Sequence, residues 1–179
     1  MAAVIAHEVK NPLAAVRGAV QVIGSRLGTQ SNDASIVKEI IARLDALNDL
    51  IQDLLVFARP SKPVLAPVTI DTIVSTTLAL FPQDPLAAHV TIQVDTTEGT
   101  VMADAEQIKM VLLNLLTNSA QAMQGTGIID IGTRTRDGVH EIRIHDNGPG
   151  MPLDVQEHLF EPFFTTRHRG TGLGLVTAR

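Results

Sequence analysis

The segment HEVKNPL, from His7 to Leu13, carries side chains that can take part in group transfer. The His7 imidazole is a nucleophile near neutral pH, and Glu8 can hold one ring nitrogen so that the other attacks or loses a proton. Asn11 lies one helical turn from His7 and can position a water molecule. Pro12 cannot donate to the Glu8 carbonyl, so we expect the helix to bend there. By itself the motif is equally compatible with an ordinary solvated His–Glu pair.

A second polar pattern lies in NLLTNSAQAM, from Asn114 to Met123. Asn114 and Asn118 are four residues apart and share one face of an otherwise apolar helix. A buried amide without a partner costs about 1–3 kcal/mol, so we expect something polar to meet them. Their neutral oxygens suit Mg²⁺, which prefers hard oxygen ligands. An amide pair satisfied by backbone or water remains the alternative.

Two glycine-containing segments complete the set. In HDNGPGM, from His145 to Met151, the Asp146 carboxylate follows a strand and can accept a hydrogen bond from a ligand amine, although the segment also reads as a turn. In the segment from Phe160 to Arg179, GTGLGL precedes a helical run, so free N–H groups and nearby arginines can face an anion. Neither a P-loop nor a dinucleotide-binding fingerprint is met.

The elements that must position these residues follow from periodicity. Apolar residues recur at three- and four-residue steps from Ala2 to Leu27 and again from Val37 to Ala58, which predicts a helical hairpin over residues 1–58. The second helix has more apolar positions than two helices cover, so a homodimeric four-helix bundle is expected. Residues 59–67 are proline-rich and predict a linker. Residues 68–179 read as an α/β domain.

Within that domain, five segments have strand patterns, and two helices lie between them. We predict a short strand over Val68–Ile70, a helix over Asp71–Leu80, a strand over His89–Asp95 and another over Thr100–Ala103. Asp104 should cap a long helix that runs to Met123. GIIDIGTRT and HEIRIHD should pair around a turn at Asp137-Gly138.

Composition excludes several classes of protein. Aromatic residues make up 3% of the 179 residues, with no Trp or Tyr, and the net charge is −5, so nucleic acid is not an expected partner. Zero Cys excludes disulfides, thiolate zinc sites and a Cys nucleophile. Because no apolar run is long enough to span a bilayer, no membrane segment is expected in this chain.

Taken in order, HEVKNPL, NLLTNSAQA, DNGPGM, EPFFTT and GTGLGL resemble the H, N, G1, F and G2 boxes of sensor histidine kinases of two-component systems. The resemblance spans nearly the whole chain and is strongest to the nitrogen-regulation and oxygen-sensing branch. It implies a dimeric α-helical hairpin followed by an α/β sandwich of the GHKL ATPase type. It also implies a cytoplasmic ATP-dependent kinase that phosphorylates its own histidine and passes the phosphoryl group to the receiver domain of a response regulator, which it can also dephosphorylate.

The resemblance assigns roles to residues of the H box. His7 matches the phosphoacceptor, Glu8 the acidic neighbour that assists it, and Asn11 the residue that helps hydrolyse the regulator's phosphoaspartate.

It also implies the nucleotide site. Asn118, with Asn114 near it, matches the Mg²⁺ ligand, and Asp146 matches the residue that reads the adenine amino group. The other positions it implies for ATP are Gly148, Gly150, Thr166, Arg167, Gly170, Thr171, Gly172, Leu173 and Gly174.

Two departures from the family pattern concern cations. Gln121 stands where many members have Lys in the N box, and Arg167 where many have Lys after FFTT, so the cation that meets the γ-phosphate stays open. Phe160, Phe163 and Phe164 match packing and hinge residues of a mobile lid.

Two alternatives remain: a GHKL-type ATPase and a catalytically silent dimerisation scaffold. The ATPase usually presents a Glu where Asn114 stands. The chain begins at the H box and stops at Arg179, inside the helix after GTGLGL, so we expect a piece truncated at its C-terminus, with ATP binding impaired and a parent protein that can be membrane-attached.

Overall fold

A computed structural model describes residues 2–27, 32–58, 62–81, 87–167 and 170–178. The chain divides into two compact units. The first comprises residues 1–61 together with 162–173, and the second comprises residues 62–161 together with 174–179.

The first unit contains the predicted helical hairpin. Helix α1 runs from Ala2 to Arg26 and helix α2 from Asn32 to Ala58. The helices are antiparallel, because Arg17 Nε donates to Asp45 Oδ1 over 2.6 Å while Gly24 lies against Val37. This hydrogen-bonded ion pair raises the pKa of Arg17.

Gly24 and Pro12 are two residues of α1 that bear on its geometry, and Gly24 allows a close approach to α2. A Cβ added at Gly24 would lie 2.6 Å from Val37 Cγ1, so glycine permits close contact there, and Val37 is buried. Pro12 lies inside α1, which is helical on both sides of it. The bend expected at Pro12 stays a prediction.

The second unit is an α/β sandwich. Its strands are β1 (Ala66–Thr69), β2 (His89–Asp95), β3 (Thr100–Ala103), β4 (Thr126–Arg136) and β5 (Val139–Asp146). Its helices are α3 (Ile70–Leu80), α4 (Ala105–Ala122) and α5 (Leu153–Glu157), with a final short helix α6 (Gly174–Thr177). Strand β1 begins two residues inside the segment predicted as a linker, and Ile70 starts α3 instead of ending β1.

Two sheets form from these strands. Strands β1 and β3 pair antiparallel, while β4 lies between β2, which it pairs in parallel, and β5, which it pairs antiparallel. At the predicted Asp137-Gly138 turn both residues have positive φ, 53° and 76°, as the tightest hairpin turns require.

The core of this unit lies between α3, α4 and the central strand β4. Ile73 and Val74 of α3, Leu116 of α4, and Ile129 and Ile131 of β4 are all buried in one cluster. Burial of such side chains stabilises each by about 1.5–3 kcal/mol. The packing fixes α4 over the sheet, and α4 carries the predicted asparagines.

Asp104 caps α4 as predicted. Its Oδ1 accepts from the N–H groups of Glu106 and Gln107, each over 3.1 Å, and its Oδ2 accepts from the Val64 N–H over 2.8 Å. These three hydrogen bonds lower the pKa of the Asp104 carboxyl, and the one from Val64 has the largest effect. Since the folded chain favours the ionised form, the stabilisation is present above the unfolded pKa and is lost as the pH falls through the folded value.

An Asp104→Asn substitution tests this linkage. The variant keeps one accepting oxygen but loses the charge and one of the two acceptors, so its melting temperature at pH 7 should fall by roughly 2–4 °C. That difference should shrink as the pH falls from about 5 to about 2. Far-UV circular dichroism melts of both proteins across this range give the measurement. A difference in melting temperature that does not depend on pH would contradict a stabilising role for the charge of the Asp104 carboxylate.

Candidate functional site

Asp146 is the last residue of β5, and each oxygen of its carboxylate has a donor. The Ser119 hydroxyl donates to Oδ2 over 2.8 Å, and the Gly148 backbone N–H donates to Oδ1 over 3.0 Å. Ser119 is only 7% exposed, whereas Asp146 keeps part of its surface open. Because each oxygen retains a second lone pair, the carboxylate can still accept from a ligand amine.

Asn147 fixes where β5 ends. Its N–H donates to the Ile128 carbonyl over 3.2 Å, and its Oδ1 accepts from the Ile128 N–H over 2.9 Å. The neighbouring Gly127 is required there, because an added Cβ would lie 2.7 Å from Asn147 Oδ1. The side chain of Asn147 therefore continues the contact between β4 and the chain leaving β5, and it holds Asp146 in place.

Two glycines follow Asp146, and each stands at a position where a side chain would be disfavoured. A Cβ added at Gly148 would lie 2.7 Å from Asp146 Oδ1 and 3.3 Å from Met123 Cγ. Gly150 has a φ of 72°, which side chains rarely adopt. Neither glycine places a side chain beside Asp146, and the approach of a purine ring to this backbone stays a prediction.

Helix α4 also contacts the start of α6. Asn114 Nδ2 donates to the Gly174 carbonyl over 3.3 Å. Asn114 and Asn118 are both half-buried, one turn apart on α4. The structure thus brings together Asn114 and Gly174, two of the predicted site residues, and α4 connects them to Asp146 through Ser119.

An amide oxygen on α4 is a suitable ligand atom for the predicted Mg²⁺. With its nitrogen engaged by Gly174, Asn114 keeps its amide oxygen as an acceptor. At phosphate sites Mg²⁺ is bound through one or two protein oxygens and completes its coordination with phosphate oxygens and water. The Asn114 amide oxygen, at the contact with the start of α6, matches that requirement and adds no charge of its own.

The F and G2 boxes meet within the first unit. The Phe163 N–H donates to the Gly172 carbonyl over 3.1 Å, and both residues have positive φ, 67° and 66°. A Cβ at Gly172 would lie 2.5 Å from the Phe163 carbonyl carbon, so glycine is required. These two residues close a loop, called the tied loop below, which comprises residues 163–172.

The tied loop holds several predicted phosphate-facing residues. Thr166, Arg167 and Gly170 are exposed, and partial desolvation lowers the pKa of Arg167, which remains charged at pH 7. Leu173, just after the loop, is fully buried, and its N–H donates to Thr171 Oγ1 over 3.3 Å. Leu173 therefore anchors the end of the loop.

The tied loop packs against α2. Thr171 Oγ1 donates to Asp53 Oδ2 over 2.6 Å. The rings of Phe163 and Phe57 meet edge to face, with centroids 6.4 Å apart. Sequence reasoning missed Asp53 and Phe57, since contacts over 118 residues leave no local pattern.

The H box lies on α1. His7 and Glu8 belong to the helix, but their side chains lie outside the described part of the structure. Asn11 and Pro12 have exposed side chains, so Asn11 is accessible to a partner. The outward orientation of the His7 ring stays a prediction.

Two family models match the chain where these motifs lie. The model described as Histidine kinase-, DNA gyrase B-, and HSP90-like ATPase matches residues 103–179, and the His Kinase A (phospho-acceptor) domain matches residues 1–63. The α/β unit thus falls in a class of ATPase domains that several kinds of enzyme share, and the hairpin carries the phosphoacceptor domain.

Within this class of ATPase domains, the named relatives are histidine kinases. Signal transduction histidine-protein kinase AtoS of Escherichia coli (strain K12) is 37% identical over 178 residues, which are 98% of this chain and 29% of AtoS. Sensory histidine kinase/phosphatase NtrB of Rhizobium meliloti (strain 1021) is 32% identical over 98% of this chain and 50% of NtrB. The crystal structure of full-length ShkA in complex with AMPPNP matches with a TM-score of 0.76 at 26% identity, covering 98% of this chain and 39% of that one.

This chain belongs to the sensor histidine kinases of two-component systems. It spans 29% to 50% of the length of the two curated relatives above. None of the helices in the described ranges combines the length and apolar character needed to cross a bilayer.

Proposed function

We propose that this chain is the catalytic core of an ATP-dependent protein-histidine kinase of the nitrogen-regulation and oxygen-sensing branch. The observation that carries the proposal is the Asp146 carboxylate, whose two oxygens are held by Ser119 and Gly148. That arrangement suits a purine amine. Because ATP is a cytoplasmic metabolite, the reaction belongs in the cytoplasm.

Each part of the chain has a proposed role that follows from the motif it contains. In this proposal, residues 1–58 are the dimerisation and phosphotransfer hairpin, residues 59–65 are the linker, and the ATP-binding part begins with β1 at Ala66 and extends to residue 179. Asp146 binds the adenine amine, and the backbone at Gly148 and Gly150 accommodates the ring. Gly170, Gly172 and Gly174 are the proposed phosphate-binding residues, and Arg167 is the proposed source of positive charge.

The chemical step is phosphoryl transfer to a ring nitrogen of His7. A bond forms between that nitrogen and the γ-phosphorus, the bond from the phosphorus to the β–γ bridging oxygen breaks, and ADP leaves. Glu8 holds the other ring nitrogen and stabilises the positive charge on the ring. A Mg²⁺ ion on Asn114 and Asn118 would neutralise phosphate charge. The phosphoryl group then passes to an aspartate of a response-regulator receiver domain.

A labelling experiment tests the proposal. The chain is incubated with Mg²⁺ and γ-labelled ATP, and the protein is then exposed to acid or alkali. We expect label that survives alkali and is lost in acid, as a phosphorus–nitrogen bond requires. Release of inorganic phosphate without labelled protein would instead favour a GHKL-type ATPase. Neither label nor release would favour a silent dimerisation scaffold.

A homodimer is part of the proposal, and the exposed face of the hairpin supports it. In the single chain every second residue of each apolar seam is 38–55% exposed. These residues are Val9, Val16 and Ile23 on α1, and Ile40, Leu47 and Leu54 on α2. The seam residues between them, such as Val20 and Leu44, are half-buried. A seven-residue spacing on both helices is the pattern of a bundle core that a second hairpin completes.

Leu47→Asp tests the dimer. Two symmetry-related leucines would each lose about 1.5–3 kcal/mol of burial, so the dimer dissociation constant should rise by at least about 100-fold. Sedimentation equilibrium at micromolar concentration gives the measurement. Ala46→Asp is the matched control, because Ala46 is exposed and lies next to the seam. A monomeric unchanged chain, or a dimeric Leu47→Asp variant, would contradict the prediction.

Asn11→Ala tests the proposed phosphatase role. Asn11 is exposed on α1 one turn from His7, where it can orient a water toward a regulator's phosphoaspartate. We expect autophosphorylation within about twofold of the unchanged chain and a loss of phosphatase activity of about 10²-fold. Dephosphorylation of a labelled receiver domain and autophosphorylation are measured side by side. Equal loss of both activities would indicate a structural role for Asn11.

A further inference from the structure

We propose that Ser119 is a positioning residue that makes the site selective for a 6-amino purine over a 6-oxo purine. The inference rests on the proposed role of Asp146 as the group that binds adenine. Ser119 would act through Asp146 and need not touch the nucleotide.

The hydroxyl of Ser119 is directed differently from those of three residues on α3. Ser75, Thr76 and Thr77 on α3 donate to carbonyls of their own helix. Ser119 instead donates out of α4 to Asp146 Oδ2 over 2.8 Å. It is nearly fully buried, so water does not compete freely for that bond.

Together with the Gly148 N–H, this bond fixes the plane of the carboxylate. One donor holds Oδ2 and the other holds Oδ1, so rotation about the Cβ–Cγ bond would break both hydrogen bonds. The remaining lone pairs keep a fixed direction, and an ionised carboxylate can only accept. A buried donor to a charged acceptor is among the stronger hydrogen bonds in proteins.

Selectivity follows from that fixed direction. A 6-amino purine donates to the waiting lone pair, whereas a 6-oxo purine brings an acceptor against it. Without the Ser119 hydroxyl, the carboxylate is held at Oδ1 alone and can turn away from an oxo group. The 6-amino purine then loses part of its hydrogen bond to Asp146, and the repulsion between the carboxylate and the oxo group of a 6-oxo purine becomes weaker.

The test uses the chain with Ser119→Ala, Ser119→Thr and, as matched control, Ser75→Ala, an exposed helical serine. Titration calorimetry with AMPPNP and GMPPNP gives two dissociation constants for each protein. We expect Ser119→Ala to raise the constant for AMPPNP about 10-fold and that for GMPPNP less than about 3-fold. Ser119→Thr, which keeps a hydroxyl, should restore the unchanged ratio, and Ser75→Ala should leave both constants unaltered.

The ratio of the dissociation constants for AMPPNP and GMPPNP distinguishes a positioning role of Ser119 from a purely structural one. Equal weakening of both nucleotides by Ser119→Ala, or no change in either, overturns the inference while leaving the proposed function intact. If Ser119→Thr does not fold, as judged by its melting curve, the Ser119→Ala ratio alone decides. If the unchanged chain binds neither nucleotide, the proposed function fails and the inference fails with it.

Discussion

A His7→Gln variant is expected to bind ATP as the unchanged chain does and to incorporate no phosphate. Glutamine has an amide nitrogen whose lone pair is delocalised, so it cannot attack the γ-phosphorus as an imidazole does. Loss of the nucleophile should lower phosphate incorporation by at least about 10³-fold. Phosphate incorporation from γ-labelled ATP and AMPPNP binding by calorimetry are the two measurements.

The matched control for this substitution is His89→Gln. His89 is exposed at the start of β2 and belongs to none of the motifs. It should keep full phosphate incorporation. Acid-labile label that persists on the His7→Gln protein would refute the assignment of the phosphoacceptor. Loss of AMPPNP binding in that variant would instead show that His7 supports the fold.

An Asp146→Asn variant is expected to lose nucleotide affinity. Asparagine has one accepting oxygen, and the Gly148 N–H can only donate, so the amide oxygen must face Gly148 while its NH₂ faces Ser119. No charged acceptor then remains for the purine amine. A hydrogen bond to a charged group contributes about 1.5–3 kcal/mol, so the dissociation constant for AMPPNP should rise about 10- to 100-fold.

Asp130→Asn is the control, because Asp130 lies exposed on β4 and the substitution is the same. Its AMPPNP affinity should match that of the unchanged chain. Melting temperatures of both variants check that the fold is kept. An Asp146→Asn variant that binds AMPPNP with unchanged affinity would remove the observation that carries the proposed function.

Local patterns predicted the elements well where the physics is local. The strand His89–Asp95 has the predicted bounds because alternation and flanking turns both mark it. The turn at Asp137-Gly138 was predictable because few residue pairs tolerate two positive φ values. Asp104 was predictable as a cap because its side chain serves N–H groups two and three residues away.

Features that depend on distant residues were not predictable. The parallel pairing of β2 with β4 joins segments between which β3 and α4 intervene, and alternation is compatible with either direction. Val94 alternates onto the same face of β2 as Val90 and Ile92, yet it remains 47% exposed, since alternation sets the face but not what covers it. Ser119 gave no signal because its partner Asp146 lies 27 residues away.

The hydrogen bond from the Phe163 N–H to the Gly172 carbonyl bears on the conformational entropy of the chain that it joins. A segment with joined ends samples far fewer shapes than a free one of equal length, so little conformational entropy is lost when it settles on a nucleotide. The hydrogen bond between Phe163 and Gly172 therefore lowers the entropy cost of ordering the chain that these two residues join.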